Sequence, residues 1–209
     1  MKKTLILAFI ITSLSISGFT QSLSLESVCE SLSSHPNTTG DFAQTKTLQA
    51  NGRKLKSSGK YIICTEGILW QTEKPIPSSL ILTKDTMVQI SANGTKSVMS
   101  GKDNQIFANI SDTLSSVFSG NVESLKKNFI YDFTDDGKGT WIVVLTPKDS
   151  TISSVMKTLT LSGISDASGA AMTCLVMAES SGNSITYDFL NQKYPKELSA
   201  DEKQIFITE

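Results

Sequence analysis

The chain has 209 residues, with 19 Lys and Arg against 20 Asp and Glu, a formal charge of -1, three cysteines and one histidine. That balance excludes a nucleic-acid binder, whose phosphate contacts demand a basic face. A single imidazole, together with cysteines that lack CxxC spacing, argues against metal sites and histidine-based catalysis, so no metal and no cofactor are expected.

Lys2 and Lys3 precede an apolar run from Leu5 to Ile16, and Ser17, Gly18 and Thr20 follow it, which is the three-part layout of a secretory signal. The run is too short to span a bilayer as a stable helix. Cleavage is expected between Ser17 and Ser22, most simply after Thr20. Residues 1–20 therefore read as a signal peptide and 21–209 as one exported domain, expected to be soluble in the periplasm. Cys29 lies too far beyond the run to carry a lipid anchor.

Leu25, Val28, Cys29 and Leu32 fall at i, i+3, i+4 and i+7, the stripe of an amphipathic helix, which should end before His35-Pro36. From Asp41 the texture changes to short β-prone runs. Strands are expected at 41–48, 54–65, 67–73, 78–83, 86–91 and 95–100, punctuated by Asn51-Gly52, Glu66-Gly67, Lys84-Asp85 and Asn93-Gly94. Within 105–128, Ile106, Phe107, Ile110, Leu114, Val117 and Phe118 recur at helical spacing, so one or two helices should interrupt the sheet. Strands resume at 129–134, 140–146, 155–163, 170–179 and 183–190. Ser199-Ala200-Asp201-Glu202 is a capping-box pattern that opens a short closing helix through Phe206. Cys64 and Cys174 are expected on strands, facing the interior or a neighbouring strand, with at most one disulfide.

The fold class is α+β, mostly β, with about eleven antiparallel strands. A meander of that length must deal with its edges. Two or three helices are too few to coat it from outside, so a curved sheet with the helices filling or lidding an apolar hollow is the economical arrangement.

Several runs resemble the periplasmic lipoprotein-carrier family of LolA type. Gly40-Asp41-Phe42-Ala43-Gln44-Thr45-Lys46, then Ser58-Gly59-Lys60-Tyr61, then Gly67-Ile68-Leu69-Trp70 with Pro75 shortly after, are similar to the family's opening. Trp141 to Lys148 resembles its strand ending in L-T-P-K, and Gly182 to Phe189 its penultimate strand. The resemblance spans about residues 40 to 206. It implies an incomplete antiparallel β-barrel whose helices form a lid over an apolar cavity. It also implies a carrier without enzymatic activity that takes lipoprotein acyl chains from an inner-membrane release complex to an outer-membrane acceptor. A monomer is expected. The family's arginine, a few residues before the Trp and tied to the lid, is missing: this chain reads Ile63-Cys64-Thr65-Glu66 there, with no basic residue between Lys60 and Lys74.

The candidate lining of the hollow follows from strand periodicity: Ile68 with Trp70, Leu80 with Leu82, and Phe129 with Tyr131 and Phe133 share strand faces. Phe42 of the F-x-Q run joins them, and Met156 and Met172 would supply adjustable thioether walls. Phe107, Ile110, Leu114 and Phe118 are the candidate lid. An ordinary packed core would show the same residue types. The leading function is a carrier for lipoprotein acyl chains or another lipid. The alternatives are a small-molecule enzyme or a sensor or interaction module built on the same half-barrel.

Overall fold

The computed structural model describes residues 23–84, 86–100, 116 and 121–207. The first helix, α1 (Leu25–Ser33), is opened by Ser24, whose hydroxyl accepts from Ser27 N at 3.1 Å while Ser27 Oγ accepts from Ser24 N at 2.9 Å. This reciprocal pair satisfies two donors that a helix start leaves without partners. The expected stripe of Leu25, Val28, Cys29 and Leu32 is its buried face. Full burial of each such aliphatic side chain contributes roughly 1.5–3 kcal/mol, which anchors a nine-residue helix that would not hold in isolation.

Six strands follow in succession: β1 (Thr38–Thr47), β2 (Lys54–Ile63), β3 (Gly67–Lys74), β4 (Ser78–Thr83), β5 (Thr86–Ile90) and β6 (Lys96–Ser100). Helix α2 (Val122–Asn128) leads into β7 (Phe129–Asp135) and β8 (Thr140–Pro147). A one-turn helix α3 (Ser150–Ser153) precedes β9 (Met156–Asp166), β10 (Gly169–Glu179) and β11 (Ser184–Lys193), and α4 (Ala200–Gln204) closes the chain. The strands form one antiparallel sheet in the order β6-β5-β4-β3-β2-β1-β11-β10-β9-β8-β7. Two meanders are thus joined along β1 and β11, where Phe42 stands opposite Phe189 and Gln44 opposite Tyr187. The two ends, β6 and β7, do not pair, so the sheet is an open, incomplete barrel. No described helix is long and apolar enough to cross a membrane.

The expected strands are present, with shifted ends: β1 begins at Thr38, β9 extends to Asp166 and β11 to Lys193. Helix α3 was not anticipated. Its four residues are too few to show a period, and its signals are local: Asp149 accepts from Thr151 N and Ile152 N, and Ile152 is buried. Cys174 lies on β10 as expected, but Cys64 is one residue past β2, in the turn that leads to β3. There Cys64 N donates to Gly67 O at 2.9 Å and Gly67 N donates back to Cys64 O at 3.3 Å, so the turn closes before a longer strand can form. All three cysteines are free, and burial pushes the Cys29 and Cys64 thiols up to about 11.

Each sheet face carries its own core. Inside, α1 packs with Phe42, Tyr61, Ile63, Ile68 and Leu82 of the first meander and with Phe129, Trp141, Leu145, Leu161 and Met172 of the second. Gly163 makes room for the Trp141 ring, which would lie 2.4 Å from a Cβ at that position. Helices α1 and α2 are tied by Glu26 and Lys126 at 2.7 Å. Outside, Ile62, Leu69, Ile81 and Val88 lie directly opposite one another across β2 to β5 and are covered by Leu198 and Phe206. The residues flanking the closing helix, Leu198 before it and Ile205 and Phe206 after it, therefore pack on the outer face, where an apolar row on that pleat gains by leaving water. The stretch from 105 to 115, like Val117 and Phe118, lies outside the described residues, and with it the candidate lid Phe107, Ile110, Leu114 and Phe118.

Candidate functional site

The inner face of the first meander is ordered in rows by strand register. The deepest runs Thr38, Ile63, Ile68, Leu82, Met87; the next Gly40, Tyr61, Trp70, Leu80, Gln89; the third Phe42, Gly59, Thr72, Ser78. The third row ends in two hydroxyls, Thr72 and Ser78, at the rim, while Phe42 at its other end is buried. Gly40 is required in the middle row, since a Cβ there would stand 2.9 Å from the Tyr61 ring.

Trp70 is the hub of an aromatic cluster. Its ring centroid lies 5.6 Å from Phe42, 5.1 Å from Tyr187, and 5.9 Å from both Tyr61 and Phe189. The Tyr187 and Phe189 rings meet it edge-on, the geometry that aromatic quadrupoles favour. Burial raises the Tyr61 and Tyr187 phenols above the usual value, which favours their neutral forms. The Trp70 Nε1 proton is buried and meets no hydrogen-bond acceptor among the described residues.

Beside this cluster is a cavity of about 490 Å³. One wall comes from β3 to β5 with Trp70, Leu80 and Met87, and the facing wall from β9 to β11 with Met156, Leu159, Leu175, Met177 and Tyr187. Strands so far apart in the sheet can share a cavity only because the sheet curls, so the cavity occupies the concave side of the half-barrel. Gln44, Thr72, Ser78, Ser79 and Gln89 complete the lining, and none of the described lining residues is charged. Its volume falls within the roughly 300–1,000 Å³ typical of small-molecule sites.

The structure brings Trp70, Leu80 and Met156 of the candidate set together at the cavity, with Phe42 packed behind Trp70. Ile68 and Leu82 lie one row deeper, in the packed floor, where Ile68 is 5% exposed. Phe129 is buried where α2 meets β7; Phe133 is half-buried against the inner core; Tyr131 is 40% exposed with the Lys126 ammonium 5.9 Å from its ring. Met172 faces a separate small pocket with Leu32 and Tyr61, and its carbonyl accepts from Gln192 Nε2. Sequence reasoning missed Met87, Leu159, Leu175, Met177, Tyr187 and the polar residues. Period 2 from Met177 would have found Leu175, and Tyr187 sits in a run already noted for its resemblance.

Among the described residues, no group of three His, Cys, Asp or Glu is placed to hold a metal ion. The family model for the outer membrane lipoprotein carrier protein LolA matches residues 34–205, from the end of α1 to α4. The chain belongs to the LolA family. No curated protein matches it significantly in sequence, so it is a divergent member. Members of the LolA family are carriers rather than enzymes. A DUF1329 family protein from Desulfovibrio piger shares the fold with a TM-score of 0.51 at 12% identity, over 84% of this chain and 92% of that one. A LolA superfamily protein from Nitrosomonas europaea is similar at 11% identity, TM-score 0.48, over 88% of this chain and 96% of its own. An outer membrane lipoprotein-sorting protein domain from Vibrio parahaemolyticus is similar at 10% identity, TM-score 0.43, over 88% and 99%. Where the lid arginine of LolA proteins is expected, this chain has the β2–β3 turn with Cys64 packed against the outer core. The Glu66 carboxyl beside it is held below the usual range, chiefly by the Thr65 hydroxyl.

Proposed function

We propose that this LolA family protein is a periplasmic carrier. After loss of residues 1–20, the domain 21–209 takes acyl chains of a lipoprotein, or of another lipid, into its concave cavity. It then moves them from an inner-membrane release complex toward an outer-membrane acceptor. The observation that carries this reading is the cavity of about 490 Å³, walled by Trp70, Leu80, Met156 and Leu175 on facing strands of a curled sheet. Each methylene placed against such a wall gains roughly 0.8 kcal/mol, so a long acyl chain binds firmly without any specific polar contact. Thioethers from Met87, Met156 and Met177 let the wall fit chains of differing shape. Release needs only a competing apolar surface, which suits a carrier that catalyses nothing.

The test is Leu80→Glu. Leu80 is 37% exposed at the cavity, so its carboxylate can hydrate in the empty protein, and the stability change should stay below about 1 kcal/mol. Lipid co-purifying with the wild type should be absent from the variant, because a filled cavity would strand the charge. A folded variant that retains lipid as the wild type does would remove the cavity from the function.

A further inference from the structure

The strands that wall the concave cavity border a second space on their other side. A groove of about 340 Å³ lies on the outer face of β3 to β6. Its floor is Leu69, Ile81, Val88 and Ile90, and its side wall is Ile205 and Ile207, just beyond α4. Register separates the two spaces, because Leu69 and Gln71 alternate along β3 with Ile68, Trp70 and Thr72 of the inner face. Ser79, at the start of β4, borders both. The volume falls within the roughly 300–1,000 Å³ typical of small-molecule sites.

The groove is apolar along one flank and polar along the other. Leu198 and Phe206 cover much of the outer row, yet Ile207 stays 61% exposed beside the groove. The next row across the strands reads Lys60, Gln71, Ser79, Ile90, Lys96. Lys60 is paired with Glu73 at 3.8 Å. The Lys96 ammonium, the Gln71 amide and the Ser79 hydroxyl meet no partner among the described residues. Lys96 is the only charged residue among the described lining. A hydrocarbon trough with one unpaired cation on its flank is complementary to an amphiphile that carries one negative charge. From β3 to β6 the trough crosses four neighbouring strands, about 15 Å at the usual spacing, which suits a chain of medium length.

We infer that this outer groove binds a medium-chain fatty acid. Its chain lies over Leu69, Ile81 and Val88 beside Ile205 and Ile207, and its carboxylate sits between Ser79 and Lys96. The site is separate from the concave cavity and does not depend on the carrier reading. One ammonium balances one carboxylate, whereas a phosphate monoester brings more charge than Lys96 offsets.

The experiment is a titration of the delipidated protein with decanoate, followed through isoleucine and methionine methyl NMR signals. The two spaces report separately. Ile81, Ile90, Ile205 and Ile207 line the groove with no described methionine, whereas Met87, Met156 and Met177 line the cavity with no described isoleucine. Decanoate should move the four groove isoleucine signals saturably. It should bind about fivefold or more tightly than octanoate, which has two methylenes fewer, and about fivefold more tightly than decanol. Lys96→Gln should abolish the preference over decanol, and Ile207→Ser should weaken decanoate about threefold. Both positions are exposed, so both variants should melt as the wild type does. Methionine signals that move while the groove isoleucines stay still would overturn the inference and leave the carrier reading in place. Decanol that binds as tightly as decanoate would remove Lys96 from the site and overturn it too. Groove binding seen only in a chain ending at Ile207 would assign Lys96 to the protein's own terminal carboxylates. A dimer that Ile207→Ser dissociates, without decanoate binding, would assign the groove to a second copy; either result overturns the fatty-acid site.

Discussion

The two faces of strands β2 to β5 use similar apolar residues to opposite ends. On the outer face Ile62, Leu69, Ile81 and Val88 stand level across four strands, and Leu198 and Phe206 press directly onto them. On the inner face Trp70 and Leu80 border an open cavity, and the wall facing them belongs to β9, β10 and Tyr187 of β11 across the curl of the sheet. A few apolar side chains on either side of a short helix can sit flush on such a row. A sheet that curls to face itself cannot fill the distance at its widest point with side chains alone. Apolar residues that are flush with a cover make a core, and those held apart by curvature make a cavity.

The sharpest way to break this comparison lies in the inner face itself. Ile68, in the floor, and Leu80, at the cavity, are on paired strands of the same face, yet they should respond differently to the same charge. Ile68→Glu should cost about 3–5 kcal/mol or more, because the carboxylate replaces a packed side chain where water cannot follow. Its thermal melt should collapse while that of Leu80→Glu persists. Equal melting of the two variants would show that floor and cavity wall are not distinct.

A smaller effect separates the faces. Leu69→Ala should destabilise by about 2–5 kcal/mol, the range for truncating a buried leucine, and leave lipid retention unchanged, because Leu69 packs only in the outer core. Loss of lipid from a still-folded Leu69→Ala protein would mean that the outer core sets the shape of the cavity. The smallest effect concerns the ion pair beyond the rim. Lys46 holds the Glu179 carboxyl below its usual value of 4.5. The folded value is depressed, so the stabilisation is present above the ordinary carboxylate range and is lost as pH falls through the folded value. Lys46→Met should therefore lower stability by about 1 kcal/mol near neutral pH. The gap to wild type in thermal melts should shrink as the pH drops below 4.5. A gap that does not change with pH would show that Lys46 acts through packing of its methylenes.

Much of the architecture was legible in the chain. The stripe of α1, the alternation along the strands, the Asn-Gly turns and the capping box of α4 are local patterns, and each acts over a few residues. The sequence runs resembling LolA proteins pointed to the same open sheet. The candidate site was legible in part: Trp70, Leu80 and Met156 were expected at the hollow and line the cavity. Periodicity told which face each residue joins, but not how far that face stands from its neighbour. Ile68 and Trp70 alternate identically, and only the stacking of rows puts one in the floor and the other at the cavity.

The sequence by itself determined the strands, their alternation and the placement of apolar residues on both faces of β2 to β5, since these depend on backbone sterics and nearest neighbours. The tertiary structure alone decided that β1 joins β11, that Leu198 and Phe206 on either side of α4 cover the outer row, and that Met177 and Leu175 face Trp70 and Leu80 across an open space. Those outcomes depend on how a sheet of eleven twisted strands curls on itself. The curl sums small rotations over the whole sheet, so no local run of residues encodes it.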